Sequence, residues 1–283
     1  MNTVLFPTDF SKNAQQAFRY AKAMAKRKRA KLILLYAYDL PLIAPASAFT
    51  TRGHALHLID QSLRDAALQQ MEQYTNELDL LGENYAVLIK EGNAANVIAE
   101  FCLNEVIDLI VMGTKGKSDD REFLMGSVTA RLVGKVKIPV LSIPESAAIR
   151  PLKQVVFATN LIYNSEDEIQ KAINFAMVNS SSLTFLHIQT DIEKNNSKLN
   201  ELSKILEFNK NENVTLTIIQ DNDVVHGIGH YLKDNDPDLL VLSTHTKSLY
   251  EKLFHKSIRK EMVLNSKVPL LIFSKEIHPI VFF

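Results

Sequence analysis

The chain has 283 residues, 46% of them hydrophobic and 23% charged, with a formal net charge of zero and one cysteine, Cys102. This apolar content supplies a core, and the length exceeds one average domain, so two domains are expected. Zero net charge gives no global field for nucleic acid or an anionic membrane surface, and a lone cysteine excludes an internal disulfide framework and fits a reducing compartment.

The first segment, "MNTVLFPTDF", runs straight into an apolar stretch ended by Pro7, too short and too uncharged at its start for an export signal. No apolar run reaches the length of a membrane helix, so a soluble, cytoplasmic protein is expected. "TVLFPTDFS" (3–11) reads as a buried strand. The next segment places Ala14, Ala17, Phe18, Ala21, Met24 and Ala25 at helical spacing, with Ser11 or Asn13 as cap. "KLILLYAY" (31–38) is a second strand; 39–60 reads as a loop, and a helix is expected from about Ile59 to Leu81. "YAVLIKEG" (85–92), "DLIVMG" (108–113) and "PVLSIP" (139–144) are further strands, separated by helices at 96–105 and 127–136. Alternating strands and helices imply parallel pairing, and continuous apolar runs imply strands covered on both faces.

The pattern then starts again. "VVFATNLIY" (155–163) matches "VLFPTDFSK" (4–12) at a shift of 151, and "SLTFLHIQ" (182–189) lies over "KLILLYAY" at the same shift. "SEDE" (165–168) is a capping box before Ile169. "DLLVLSTHTKS" (238–248) lies over "DLIVMGTKGKS" (108–118) at a shift of 130, and "KVPLLIF" (267–273) repeats "KIPVLSI". The smaller shift places a deletion in the second copy between its second and third strands. The expected domains are 1–147 and 151–283, two diverged copies.

Between the fourth strand and the next helix lies "GTKGKSDDREFLMGS" (113–127). Ligands of open parallel sheets bind beyond the carboxyl ends of the strands, where the winding reverses. Glycines allow positive φ and close backbone approach to phosphate. Gly113 and Gly116 would then shape the loop entry, and Gly126 and Ser127 would present N–H groups and a hydroxyl. The competing reading is a long surface loop without ligand.

The spacing Gly113-x2-Gly116-x9-Gly126-Ser127 resembles the nucleotide loop of the universal stress protein family, and "VLFPTDFS" with Asp9 and "KIPVLSIP" are similar to that family's strands. The resemblance covers nearly the whole chain in two copies. It implies two Rossmann-like α/β domains of the adenine nucleotide alpha-hydrolase-like class, each an open five-stranded parallel sheet with helices on both faces. It also implies an ATP site, with Mg2+, at Thr8, Asp9, Ala37, Met112, Gly113, Gly116, Gly126, Ser127, Val128 and Thr129. Ala37 is smaller than the aliphatic residue usual there. Asp119, Asp120 and Glu122 would repel a triphosphate unless a divalent cation or Lys115 and Lys117 offset them.

In the second copy Ser243, Thr246 and Lys256 replace the three glycines, Ser257 keeps the place of Ser127, and Asn160 stands where Asp9 stood. That half is expected to bind ATP weakly or not at all and to serve as an internal pseudo-dimer partner, pairing through the last strand of each copy; a homodimer of the whole chain stays open. The expected role is regulatory, in a stress response, with a nucleotide-ordered loop read by a protein partner. A slow ATPase and a ligand-free interaction scaffold are the alternatives. No hydrolytic constellation is visible, since Asp9 is the single carboxylate tied to the site.

Other motifs carry less. "GKS" (116–118) lacks the Gly at 111 and the directly following helix of a P-loop. "HGIGH" (226–230) lacks the spacing and the lysine-rich companion of nucleotidyltransferases; His226 and His230 share one helical face, either as a solvated helix start or as a zinc pair with His187 or His245. "KRKRAK" (26–31) suits a helix carboxyl end, Cys102 reads as inert core, and "HPIVFF" (278–283) as a packed tail.

Overall fold

The computed structural model describes residues 1–40, 49–114, 127–159, 166–190, 213–243 and 267–273. The loop 115–126, the capping box start at Ser165, His245 and the tail 278–283 therefore lie outside the described residues. The first half runs β1 (Thr3–Thr8), α1 (Lys12–Lys28), β2 (Lys31–Tyr38), α2 (Phe49–Asp79), β3 (Tyr85–Glu91), α3 (Ala94–Asn104), β4 (Leu109–Gly113), α4 (Ser127–Val133) and β5 (Val140–Ile143). The second runs β6 (Gln154–Ala158), α5 (Glu166–Val178), β7 (Ser182–Gln189), β8 (Val214–Gln220), α6 (Val224–Asn235), β9 (Leu239–Ser243) and β10 (Leu270–Phe273).

All ten strands join one sheet in the order β3-β2-β1-β4-β5-β10-β9-β6-β7-β8. Every neighbouring pair is parallel except β5 with β10. There Leu141 lies opposite Leu271, flanked by Val140 with Ile272 and Ser142 with Leu270. The chain is thus α/β, with two five-stranded parallel halves meeting edge to edge. Alternation along the strands sends Val4 and Phe6 into one core layer under α1 and α2, and Leu5 into the other under α3 and α4. Both layers continue into the second half, through Phe157, Phe185 and α5 on one face and Val156, Leu186 and α6 on the other.

Local signals account for the helix ends. Ser11 is the α1 N-cap: its Oγ accepts from Ala14 N–H at 3.2 Å. Arg29 closes that helix in the left-handed region at φ 53°, and Lys26, Arg27 and Lys28 sit on the carboxyl-end dipole. The α2 helix starts at Phe49, so the expected loop over 39–60 is partly helical; beyond Pro45 only Gly53 breaks a run of adequate helix formers. The shorter second copy is visible as 24 residues between Gln189 and Val214 against 46 between Tyr38 and Tyr85.

One contact is repeated in both halves. Asp108 Oδ2 accepts the N–H groups of Asn2 and Thr3 at 2.5 and 3.0 Å, and Asp238 Oδ2 accepts those of Lys153 and Gln154 at 2.7 and 2.8 Å. Each carboxylate ties the start of the central strand to the strand beside it. Asp238 also holds Arg150, whose Nη1 donates to Asp236 Oδ2 at 3.1 Å. Arg150 ends the connection between the halves, which also takes hydrogen bonds from α1: Gln16 donates to Ala147 O and Tyr20 to Ala148 O. Burial pushes the Tyr20 phenol up to about 12, against the pull of Arg150 and with a push from Asp238.

Candidate functional site

Successive connections run from β1 outward to β2 and β3, then cross back to β4 on the other side of β1. The winding therefore reverses between β1 and β4, whose carboxyl ends are Thr8 and Gly113. A ligand crevice is the expected feature at such a point, and Thr8, Asp9, Met112 and Gly113 lie at or just beyond these two strand ends.

The turn leaving β1 is held by its own side chains. Thr8 Oγ1 accepts from Phe10 N–H at 3.0 Å, and Asp9 Oδ1 accepts from Ser11 N–H at 3.0 Å. Phe10 between them takes φ 60°, an uncommon conformation for a large side chain. Its ring lies 4.8 Å from Tyr36 and 6.2 Å from Tyr74. These three aromatic residues form a wall beside Asp9 that sequence reasoning missed, because they come from three separate elements. Burial raises the Tyr36 and Tyr74 phenols, and the Asp9 carboxylate raises them further, while the Thr8 hydrogen bond opposes the rise at Tyr74. The Thr8 hydroxyl lies 3.4 Å from Tyr74 OH, so it faces the α1–α2 layer.

Ala37 and Met112 lie on the other face. Met112 is buried in the α3–α4 layer, and Ala37 and Val128 are partly buried against it. Ser127 is exposed at the start of α4. Thr129 is 1% exposed, and its Oγ1 finds no hydrogen-bond partner among the described residues. Gly116 and Gly126 lie outside the described residues.

Gly113 has a different physical reason from the one expected. Among the described glycines only Gly82 and Gly92 have positive φ. At Gly113 a Cβ would meet Asn13 backbone carbon at 2.9 Å and its oxygen at 3.0 Å. The residue is small because the first turn of α1 crosses the end of β4. Asn13 Nδ2 then donates to Thr114 Oγ1 at 3.4 Å, tying α1 to the first residue of the loop.

In the second half the reversal falls between β6 and β9. Buried Ser243 ends β9 where Gly113 ends β4. Asn160, Thr246, Lys256 and Ser257 lie outside the described residues.

His226 and His230 do meet on α6, but His187 does not join them. Ile188 packs in the α6 layer and touches Gly227, so its neighbour His187 faces the opposite side of β7, where its Nδ1 lies 3.2 Å from Thr159 O. Among the described residues no group of three or more His, Cys, Asp or Glu side chains is placed to hold a metal ion. Cys102 is half-buried and burial pushes its thiol up to about 12. No helix among the described residues is long and apolar enough to cross a membrane.

The universal stress protein family matches residues 1–144. A universal stress protein of Methanocaldococcus jannaschii is 30% identical over 148 residues, covering 49% of this chain and 91% of that protein. One from Synechocystis is 24% identical over 300 residues, covering 96% of this chain and 100% of that protein. The solved structure of a universal stress protein from Archaeoglobus fulgidus shares the fold at a TM-score of 0.63 and 16% identity, over 97% of this chain and 98% of that chain. With the family match spanning the half that carries the Asp9–Gly113 crevice, the chain belongs to the universal stress protein family.

Proposed function

We propose that the first half binds ATP at the crevice between β1 and β4, and that the second half is a degenerate copy acting as its pseudo-dimer partner. The observation that carries this reading is the placement of Asp9 just past β1 and of Gly113 at the end of β4, the two strands flanking the winding reversal. The buried Thr129 hydroxyl supports it, since an unpartnered polar atom inside a protein costs about 1–3 kcal/mol and calls for a ligand or solvent partner. Asp9 would meet the ribose side. Gly116, Gly126, Ser127 and Thr129 would meet the phosphates, with Mg2+ supplying charge neutralisation when bound. Ala37, Met112 and Val128 offer the apolar surface an adenine ring needs.

The proposed domains are 1–147 and 151–283. Their antiparallel β5–β10 contact supports a pseudo-two-fold relation, because equivalent edges of two copies meet this way about a two-fold axis. The role is regulatory, in the stress response of the cytoplasm: nucleotide occupancy at the glycine loop changes the surface offered to a protein partner. Slow ATP hydrolysis is the competing activity, and phosphate release that vanishes in Asp9→Ala would establish it.

Titration of the full chain with Mg-ATP tests the reading. One bound nucleotide per chain is expected. Gly126→Lys, which copies Lys256, should abolish that binding without changing the melting temperature by more than a few degrees. Undiminished ATP affinity in that variant overturns the loop assignment, and two equivalents per chain overturn the degenerate second copy.

A further inference from the structure

The second half carries a cluster with no counterpart in the first. Sheet register pairs Tyr38 with Glu91 and Gln189 with Gln220, so Gln220 holds the place of Glu91. The helix caps that follow are Asn93 and Asp223. Gly92 alone fills the first gap, whereas Asp221 and Asn222 fill the second. The second copy has therefore gained a residue in this turn, and it brings in a carboxylate. Counting from the caps, His226 replaces Asn96 and His230 replaces Glu100.

These three changes converge. Asp221 Oδ2 lies 2.7 Å from His226 Nδ1, and Asp221 Oδ1 accepts from Asp223 N–H at 2.9 Å. The carboxylate is thus fixed at both oxygens. Partial burial pushes the Asp221 carboxyl up, but the Asp223 amide and the His226 ring outweigh it and hold the group below its ordinary range. The contact at Nδ1 leaves Nε2 as the outward ring nitrogen of His226. That nitrogen lies 3.1 Å from His230 Nε2, with the rings 4.4 Å apart and tilted by 67°. His226 is 44% exposed and His230 is exposed, so the paired nitrogens are open to solvent. In the first half, Asn96 Oδ1 instead accepts from Lys135 Nζ, which closes the equivalent position with a cation.

We infer that His226 and His230 form a two-nitrogen site for a divalent late transition-metal ion, with Asp221 as the positioning carboxylate. Two ligands about 2.0–2.1 Å from a tetrahedral ion sit about 3.3–3.4 Å from each other, so the two Nε2 atoms, 3.1 Å apart, need separate by only a few tenths of an ångström to share one. A carboxylate on the remote nitrogen of a ligating histidine fixes tautomer and ring orientation and raises ligand basicity. The dipole at the α6 amino end disfavours a cation, and Asp221 and Asp223 offset it. Imidazole donors select zinc, copper or nickel over magnesium or calcium. The remaining coordination positions belong to water. The cluster sits at the carboxyl end of β8, the edge strand of the sheet, so this site stands apart from both winding reversals and is independent of the nucleotide proposal.

Metal titration of the full chain, stripped with chelator, tests this with Zn(II) by calorimetry and Cu(II) by electron paramagnetic resonance. One equivalent and a copper signal split by two nitrogens are expected. His230→Ala should weaken binding at least tenfold and leave one coupled nitrogen. Asp221→Asn should weaken it by about 10–100-fold while keeping both nitrogens. His230 is exposed, so its variant stays informative even where Asp221→Asn destabilises the turn. Equal affinity and stoichiometry in the parent, His226→Ala and His230→Ala would mean adventitious metal only and would overturn the site. Because no nucleotide enters this experiment, its outcome is separate from that of the ATP titration.

Discussion

The two halves of the sheet share a frame and differ at the ends of their strands. Both clamp the start of a central strand with one aspartate, Asp108 or Asp238, and both reverse their winding beside that strand. At the carboxyl ends they part: Gly113 faces Ser243, and Asn96 with Glu100 faces His226 with His230. The clamp persists in both halves, while the residues at the carboxyl ends of the strands differ.

Five substitutions sharpen or break this comparison. Asp238→Ala should have the largest effect, about 2–4 kcal/mol, because it strands two backbone amides and the Arg150 guanidinium; Asp108→Ala should cost about 1 kcal/mol, since water reaches the Asn2 amide. Denaturant midpoints measure both, and equal losses would show that the connection through Arg150 adds nothing. Gly113→Ser, which copies Ser243, should cost about 1–3 kcal/mol by driving a Cβ into the Asn13 backbone, whether or not nucleotide is present. A neutral result would mean that α1 yields there.

Thr129→Val should stabilise the nucleotide-free protein by about 1–2 kcal/mol by removing a buried hydroxyl that lacks a partner, and should weaken ATP binding. A destabilised variant would show that the hydroxyl is satisfied in solution without ligand. The smallest effect concerns Cys102, which stands where Leu232 stands in the second half. Its folded thiol titrates near 12 rather than its ordinary 9.0. Above pH 9 the unfolded chain loses this proton and the folded chain keeps it, so stability falls as pH rises from 9 toward 12. Cys102→Leu should remove about 1 kcal/mol of that decline between pH 8 and pH 10, read from melting curves.

Much of the fold was legible because it rests on local periodicity. Continuous apolar runs such as "KLILLYAY" announced doubly covered strands, and the repeated "DLIV" and "DLLV" announced a duplication. The same aspartates were visible as letters, but their hydrogen bonds span about a hundred residues in the first half, and spacing says nothing at that distance. The glycine motif was legible as spacing, but the packing of Gly113 against Asn13 was not, since the crossing of α1 over the end of β4 is a tertiary contact. The exclusion of His187 was within reach of the sequence: it neighbours Ile188 on a strand, and adjacent side chains cannot both face α6. The Asp221 insertion is hidden in the sequence because strand register and helix caps, which differ by one in their shift across this turn, are set by pairing and not by spacing.

The seam between β5 and β10 has an evolutionary consequence. In an assembly of two identical chains every mutation appears twice, so neither copy can be altered without altering its twin. Here the two halves belong to one chain, their union holds at any dilution, and each half answers to its own stretch of gene. Symmetry that a pair of separate molecules is bound to keep, this chain is free to lose.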